Sequence, residues 1–275
     1  MIDAATGSDA CAGPLRIALH GANGRMGRSL ASLILAEPGL SLTGACDRTG
    51  VGVDFGVLLG QAPLGVVVTQ ELSAGLADAE VVIDFSLPAG TVQVLRHCRE
   101  HGLAAVVGTT GLQAAEQAEL SACAARAPVM YAQNYSVGVN VLWALARQAV
   151  RWVGDGYDLE VVEMHHRHKV DAPSGTAVRL LEVVSEARAN SPTLVHGRVG
   201  QVGARKPGEI GVHALRGGGV VGDHTLVLAG SGETLELSHR AQRREIFAEG
   251  ALRAARWLSG RNPGLYSMSD VLGIG

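Results

Sequence analysis

The chain of 275 residues is 47% hydrophobic and 18% charged, and it carries a formal net charge of -3. This composition is typical of a globular protein with ample material for an apolar core, and the length favours about two domains. A near-neutral charge gives no general attraction to nucleic acid or acidic membrane surfaces, and no stretch reaches the ~18 apolar residues that a membrane span needs. We therefore expect no nucleic-acid or membrane partner, and a cytoplasmic protein that acts on a small molecule.

The four cysteines, Cys11, Cys46, Cys98 and Cys123, are widely spaced and form no Cys-x-x-Cys pair. Neither a disulfide framework nor a zinc knuckle is indicated, which favours a reducing compartment. Residues 1–14 contain two acids and no apolar segment of signal-peptide length. We expect them to form a loose tail.

A glycine-rich turn lies between the first predicted strand, Leu15–His20, and a helix predicted over residues 28–37. Residues 21–27 read Gly-Ala-Asn-Gly-Arg-Met-Gly, a variant of the dinucleotide-binding fingerprint. Its glycines would allow the backbone to approach a pyrophosphate at the helix N-terminus. Glycine also serves ordinary turns, so the triplet alone is a weak signal.

The second predicted strand, Leu40–Cys46, ends in Asp47 and Arg48, about twenty residues after the glycine turn. An acid at this position can bind the ribose hydroxyls of NAD, whereas an arginine can accept the 2′-phosphate of NADP. The pair therefore predicts use of either cofactor. The alternative is a solvent-exposed strand end without a ligand.

Strands and helices continue to alternate after this point. Further strands are predicted over residues 66–69, 81–85, 103–107 and 129–132. Helices are predicted over residues 88–101, which Gly102 would end, and over residues 112–126. Several strands end in polar turns, among them Gly108-Thr109-Thr110-Gly111 and Gln133-Asn134-Tyr135-Ser136. The alternation predicts an α/β fold with a Rossmann-like, doubly wound parallel sheet that binds its ligand at these turns.

The sequence changes character after a long helix predicted over Val137–Val153. Apolar runs follow at residues 159–164, 211–215, 225–229 and 234–239, and a Gly-Ser-Gly-Glu turn between the last two indicates a hairpin. We predict a second, α+β domain with a mixed sheet, a helix over residues 177–188, a mobile loop over residues 198–208 and a terminal helix over residues 247–259 that returns to the first domain. The predicted domains are residues 1–136 plus 245–275 for the dinucleotide, and residues 137–244 for substrate and oligomerisation.

A basic cluster, His165, His166, Arg167, His168 and Lys169, follows the strand predicted over residues 159–164. A turn and the small residues of a Ser-Gly-Thr run then lead into the next helix. Its free N–H groups and positive dipole end predict a site for a carboxylate or phosphate. A zinc site is disfavoured, because alternation along a strand would send His165 and His168 to opposite faces. A merely solvated basic loop is the stronger alternative.

The motifs together resemble the 4-hydroxy-tetrahydrodipicolinate reductase (dihydrodipicolinate reductase) family over residues 16–272. The most specific part is Glu-Met-His-His-Arg-His-Lys-Val-Asp-Ala-Pro-Ser-Gly-Thr-Ala, at residues 163–177. The Gly-Ala-Asn-Gly-Arg-Met-Gly, Gly-Thr-Thr-Gly and Asn-Tyr-Ser-Val-Gly-Val-Asn runs match in the same order.

The resemblance implies an oxidoreductase of diaminopimelate and lysine biosynthesis that reduces a cyclic dicarboxylate, with loss of water, using NADH or NADPH. It implies that His165 is the acid/base residue, that Lys169 donates a proton, and that the protein is a homotetramer built through the second sheet. Implied substrate contacts are His166, Ser174, Gly175 and Thr176. Implied cofactor contacts are Gly21, Ala22, Asn23, Gly24, Arg25, Met26, Asp47, Arg48, Gly108, Thr109, Thr110, Gln133, Asn134, Tyr135 and Ser136.

Two other functions compete with this hypothesis. One is a different two-domain NAD(P)-dependent dehydrogenase of amino-acid metabolism, which the lack of a catalytic-cysteine context disfavours. The other is a regulator that senses NAD(P) without catalysis, which would have no use for His165 and Lys169 beside a carboxylate-binding helix start.

Overall fold

A computed structural model describes residues 13–188 and 192–274. Residues 1–12, which include Cys11 and most of the predicted tail, lie outside the described part. The chain divides into two compact units. Unit 1 runs to Ala132 and resumes over Ala251–Ser267, and unit 2 spans Gln133–Gly250 and resumes over Met268–Gly275.

The structure contains strands and helices in the following order along the chain. The strands are β1 (Leu15–His20), β2 (Leu40–Cys46), β3 (Val81–Asp84), β4 (Ala104–Val107), β5 (Pro128–Tyr131), β6 (Asp158–His165), β7 (Thr193–His196), β8 (Glu209–Arg216), β9 (Gly222–Ala229), β10 (Thr234–Ala241) and β11 (Gly264–Tyr266). The helices are α1 (Arg25–Leu35), α2 (Phe55–Leu58), α3 (Leu72–Gly75), α4 (Pro88–His101), α5 (Ala114–Ala124), α6 (Val137–Val153), α7 (Gly175–Ala187), α8 (Glu245–Leu258) and α9 (Met268–Leu272).

Unit 1 contains a parallel sheet with the strand order β11-β5-β4-β3-β1-β2. Strands β3 and β4 are buried along their whole length, as expected when both faces of a parallel sheet are covered. Strand β1 pairs with β2 on one side and β3 on the other, so the direction of chain progression reverses there. This reversal is the topological switch point at which such sheets bind ligands, and the predicted doubly wound sheet is confirmed.

Helix α4 follows its sequence signals closely. Pro88 lies in its first turn, where the missing N–H is not needed, and Gly102 ends it in the left-handed region with φ of +67°. The strand predicted over residues 66–69 is wrong, because Val67 and Thr69 form only isolated bridges. The run approaches β2 only at its end, where Thr69 bridges Cys46, so it adds no strand to the sheet. The predictions also missed the short elements α2, α3, α9, β7 and β11.

Unit 2 contains the predicted mixed sheet, in the order β10-β9-β6-β8-β7. Strand β9 is antiparallel to β6 and β10, whereas β6, β8 and β7 run parallel. Alternate residues of β6 are buried, and Leu159 and Val161 belong to a core with residues of α6 and α7. The same alternation buries the next two members of that face, Glu163 and His165. One face of β6 therefore leads from apolar core to ionisable side chains.

Two features are absent from the described residues. None of their helices is long and apolar enough to cross a membrane. Within the same residues, no group of three or more His, Cys, Asp or Glu side chains is arranged to hold a metal ion.

Candidate active site

Glycines shape the turn between β1 and α1 in unit 1. Gly21 has φ of +74°, and a Cβ there would lie 2.6 Å from the carbonyl oxygen of Phe85. A Cβ at Gly27 would lie 2.3 Å from the carbonyl oxygen of Ala22, so α1 begins too close to the turn for any side chain. The N–H groups of residues 21–24 are hydrogen-bonded within the chain, so the first turn of this 11-residue helix supplies the free N–H groups and the positive dipole end for a pyrophosphate. The structure thus fits a dinucleotide at residues 21–26.

Asp47, the acid predicted to bind the ribose hydroxyls, also stabilises this turn through hydrogen bonds. The Asp47 carboxylate accepts the backbone N–H of Asn23 at 2.9 Å through Oδ2, and the N–H and hydroxyl of Thr49, both at 2.9 Å, through Oδ1. Arg28 donates to the side-chain oxygen of Asn23 at 2.6 Å. Arg48 is exposed and forms no ion pair with any described residue. The structure thus brings Asn23 and Asp47 together and leaves the arginine free.

A buried carboxylate joins the turns at the switch point. Asp84 is fully buried at the end of β3, opposite His20 of β1 in the sheet register. Its Oδ1 accepts Nδ1–H of His20 at 2.7 Å, and its Oδ2 accepts the hydroxyls of Thr91 and Thr109 at 2.5 Å and 3.0 Å. The network therefore connects the glycine turn, the start of α4 and the predicted cofactor residue Thr109. Sequence reasoning missed Asp84, although an acid ending an apolar strand run was a usable signal.

The centre of the unit 2 site is the fully buried carboxylate of Glu163 on β6. Its Oε2 lies 2.5 Å from Nδ1 of His165 and accepts Nη1–H of Arg216 at 2.9 Å. Its Oε1 accepts Nη2–H of Arg216 at 2.9 Å and the backbone N–H of Ser174 at 3.1 Å. Burial raises the pKa of Glu163, but the hydrogen bonds from Arg216 and His165 outweigh it and leave the pKa below its ordinary value. Glu163 is therefore ionised.

In His165, the predicted acid/base residue, one ring nitrogen contacts Glu163 and the other has no hydrogen-bond partner among the described residues. Its ring is largely buried, its Nδ1 contacts Glu163, and its Nε2 forms no hydrogen bond with any described residue. Gly222, at the start of β9, keeps space beside that atom, because a Cβ there would lie 2.9 Å from it. The open nitrogen is consequently the one that can exchange a proton with a substrate.

A second histidine lies beside this ring. The ring centroids of His165 and His224 are 5.2 Å apart, and Nε2 of His224 lies 2.9 Å from the hydroxyl oxygen of Ser174. Burial, and then the neighbouring charge of His165, lowers the pKa of His224 to about 4, so this ring is neutral at pH 7. The same Ser174 oxygen accepts the N–H of Ala177 at 3.2 Å and thereby caps α7. Ser174 thus connects the helix start directly to His224 and, through Glu163, to His165.

The other basic residues lie in the turn after β6. The Lys169 ammonium donates to both oxygens of Asp171, at 2.8 Å and 2.9 Å, and this contact lowers the pKa of Asp171. Nε2 of His166 lies 3.2 Å from a guanidinium nitrogen of Arg244. Burial and the charge of Arg244 lower the pKa of His166. Among the described residues, no hydrogen bond joins His165 to Lys169.

The stretch of residues 133–136, predicted to contact the cofactor, belongs to unit 2. Asn134 donates through Nδ2 to the hydroxyl of Thr176 at 3.0 Å, which links a predicted cofactor residue to a predicted substrate residue. Ser136 caps α6 by accepting the N–H of Val139 at 3.3 Å, and Tyr135 is buried. Sequence reasoning had no signal for the Asn134–Thr176 contact, because it joins residues 42 positions apart.

Sequence reasoning also overlooked four side chains of the unit 2 site: Glu163, Arg216, His224 and Arg244. The alternation of β6 could have identified Glu163, since it lies two residues before His165 on the same face. Arg216 and His224 come from distant strands that pair with β6. Arg244 lies between β10 and α8 and reaches the site through its contact with His166.

A dinucleotide turn at the switch point of a parallel sheet, together with a second unit that carries an acid/base side chain, defines the class of NAD(P)H-dependent oxidoreductases. Residues 15–135 match the family model described as dihydrodipicolinate reductase, N-terminus, and residues 138–272 match the model for its C-terminus. The chain therefore belongs to the dihydrodipicolinate reductase family.

Individual relatives agree with this assignment. The 4-hydroxy-tetrahydrodipicolinate reductase of Anaeromyxobacter dehalogenans is 49% identical over 264 residues, which cover 94% of this chain and 98% of that one. The reductase of the same name from Thiobacillus denitrificans is 49% identical and covers 94% and 99%. Among solved structures, a dipicolinate-bound dihydrodipicolinate reductase from Paenisporosarcina sp. is similar in fold, with a TM-score of 0.76, 23% identity and coverage of 92% and 97%.

Proposed function

We propose that the protein reduces 4-hydroxy-tetrahydrodipicolinate to tetrahydrodipicolinate, with loss of water, in diaminopimelate and lysine biosynthesis. The observation that carries the proposal is the His165 imidazole, held by Glu163 with its Nε2 open, close in sequence to a cationic turn and a helix start. Relatives that are 49% identical across nearly the whole chain bear the name of this activity.

Two groups in unit 2 suit a cyclic dicarboxylate. The first turn of α7 offers the N–H groups of Gly175 and Thr176, which have no acceptor among the described residues. The helix dipole of this 13-residue helix favours a carboxylate there. Lys169 and Arg244 supply positive charge, and both act electrostatically on His166. We assign substrate binding to His166, Ser174, Gly175 and Thr176, with Ser174 acting mainly through its cap of the helix.

The acid/base chemistry belongs to His165 and Lys169. When bound, the nicotinamide supplies a hydride, and its transfer to a conjugated imine builds negative charge on the ring of the substrate. His165 would donate a proton from Nε2 while Glu163 stabilises its positive charge. Lys169 would be a further proton donor, for the hydroxyl group that leaves as water, and its positive charge would stabilise the developing anion. Asp171 holds the Lys169 ammonium in the turn until substrate binds.

Either NADH or NADPH fits the residues at the end of β2. Asp47 can accept the ribose hydroxyls of NADH, and the exposed Arg48 is available for the 2′-phosphate of NADPH. The turn at residues 108–110 would complete the cofactor site, because Thr109 belongs to the Asp84 network at the switch point. We assign residues 133–136 to the nicotinamide end of the cofactor.

We further propose a cytoplasmic homotetramer without nucleic-acid or membrane partners. Support comes from Leu215 on β8, which is exposed on the face of the unit 2 sheet opposite the core residue Leu159. Light scattering on the purified protein tests this assembly, and a monomeric mass at micromolar concentration would contradict it.

The proposed activity is tested in a coupled assay. The preceding synthase generates the substrate, and the loss of NADH or NADPH absorbance is followed with and without the protein. Oxidation above the control without synthase is the expected result, and no oxidation with either cofactor would refute the proposal. In that case, cofactor binding measured by calorimetry separates the competing classes, because a sensor would still bind NAD(P) and would reduce nothing.

A further inference from the structure

We infer that Glu163 is a positioning residue for His165, and that Arg216 tunes the proton affinity of that imidazole through Glu163. In this arrangement Glu163 fixes the tautomer and direction of the ring, and Arg216 limits how strongly the carboxylate stabilises the imidazolium. The inference rests on the proposed function for the role of His165.

The hydrogen bonds of Glu163 determine the tautomer of His165. An ionised carboxylate can only accept, and an arginine or a backbone N–H can only donate. Two hydrogen bonds from Arg216 and one from the Ser174 N–H keep Glu163 in this form. The contact of 2.5 Å to His165 must therefore be Nδ1–H donating to the carboxylate. In the neutral ring Nε2 consequently carries the lone pair, and in the cation it carries the transferable proton.

The surroundings direct that proton toward the open side of the ring. Gly222 leaves space at Nε2, where a Cβ would lie only 2.9 Å away. Besides Glu163, the titratable or charged groups near His165 and its neighbours His166 and His224 are Arg216 on β8, His224 on β9, His239 on β10, Arg244 before α8, and His166, His168, Lys169 and Asp171 after β6. Of these, His224 is neutral at pH 7, and Asp171 pairs with Lys169. Glu163 and Arg216 are therefore the fixed charges that act most directly on the imidazole.

The two residues should affect the imidazolium with opposite sign. Glu163 stabilises the positive ring, so its removal lowers the proton affinity of His165. Arg216 draws negative charge from the same carboxylate, so its removal raises that affinity. A neighbouring charge at such distances shifts a pKa by ~1–3 units. A purely architectural role, in which the pair only pins the turn before α7, predicts no such reversal.

The test follows the alkaline limb of kcat/KM, where the general acid loses its proton, in the coupled assay. Glu163→Gln should move this limb down by about one pH unit or more, and Arg216→Gln should move it up. Arg216→Lys is the matched control that keeps the charge, and its limb should stay near that of the native enzyme. Shifts in the same direction, or a uniform loss of activity with an unmoved limb, would overturn the inference.

A measurement without turnover makes the test independent of the proposed activity. The Cε1 proton of His165 is titrated by NMR in the native protein and in both variants, and is assigned by its absence from His165→Asn. The same opposite shifts are expected. If the native protein oxidises no cofactor but these shifts appear, the proposed function fails and the positioning role stands. If Glu163→Gln does not fold, an unmoved or lowered His165 titration in Arg216→Gln would by itself refute the inference.

Discussion

Replacing Asp84 by leucine should destabilise unit 1 far more than replacing it by asparagine. Leucine has a similar size but removes the acceptor for three donors, the His20 ring N–H and the hydroxyls of Thr91 and Thr109. Each buried donor left without a partner costs about 1–3 kcal/mol. Because the two hydroxyls can rotate toward other acceptors, we expect a total loss of about 3–5 kcal/mol in the free energy of unfolding.

Replacing Asp84 by asparagine should reduce the free energy of unfolding much less, because asparagine keeps most of these hydrogen bonds. Its remaining oxygen can accept both threonine hydroxyls, and its NH2 group can donate to Nδ1 of His20 once that ring changes tautomer. We expect a loss of about 1 kcal/mol or less. Urea unfolding followed by circular dichroism compares the two variants, with Thr91→Val as a control that removes one hydrogen bond.

The same variants should also differ in cofactor binding, because the network joins the turns at the switch point. We expect KM for NAD(P)H to rise at least tenfold in the leucine variant and to change little with asparagine, as followed in the coupled assay. A leucine variant with the urea midpoint of the native protein, or an asparagine variant as damaged as leucine, would refute the reasoning.

Further predictions concern both sites. Gly27→Ala should weaken NAD(P)H binding at least tenfold, because its Cβ would lie 2.3 Å from a carbonyl oxygen of the turn. Native affinity by calorimetry would contradict pyrophosphate binding at this turn. Lys169→Ala should abolish most turnover with nearly native NADPH affinity, whereas a large loss of cofactor affinity would mean that the lysine has another role. Gly222→Ala should lower kcat at least tenfold by obstructing Nε2 of His165, and unchanged steady-state rates would count against that direction of proton transfer. Arg48→Ala should raise KM for NADPH more than KM for NADH, and equal effects on both would exclude a 2′-phosphate contact.

Much of the fold could be predicted because its signals are local. Pro88 and Gly102 mark the two ends of α4. The Gly-Ser-Gly-Glu turn between β9 and β10 sets the register of that hairpin. The strand predicted over residues 66–69 was wrong because strand formation depends on a distant partner and not only on local sequence. An apolar run becomes a strand only if a neighbour pairs with it, and the sequence of the run does not say whether one exists.

Family membership could be determined from the sequence alone, and so could the contiguous motifs that we assign to each site, since both depend on short patterns whose order along the chain is visible. The glycine turn, the basic cluster and the Ser-Gly-Thr helix start are each contiguous. Only the tertiary structure decided how these residues act. Arg216 reaches Glu163 across the pairing of β6 with β8, and His20 meets Asp84 across the pairing of β1 with β3. These contacts join residues that are 53 and 64 positions apart, so no local pattern could have revealed them.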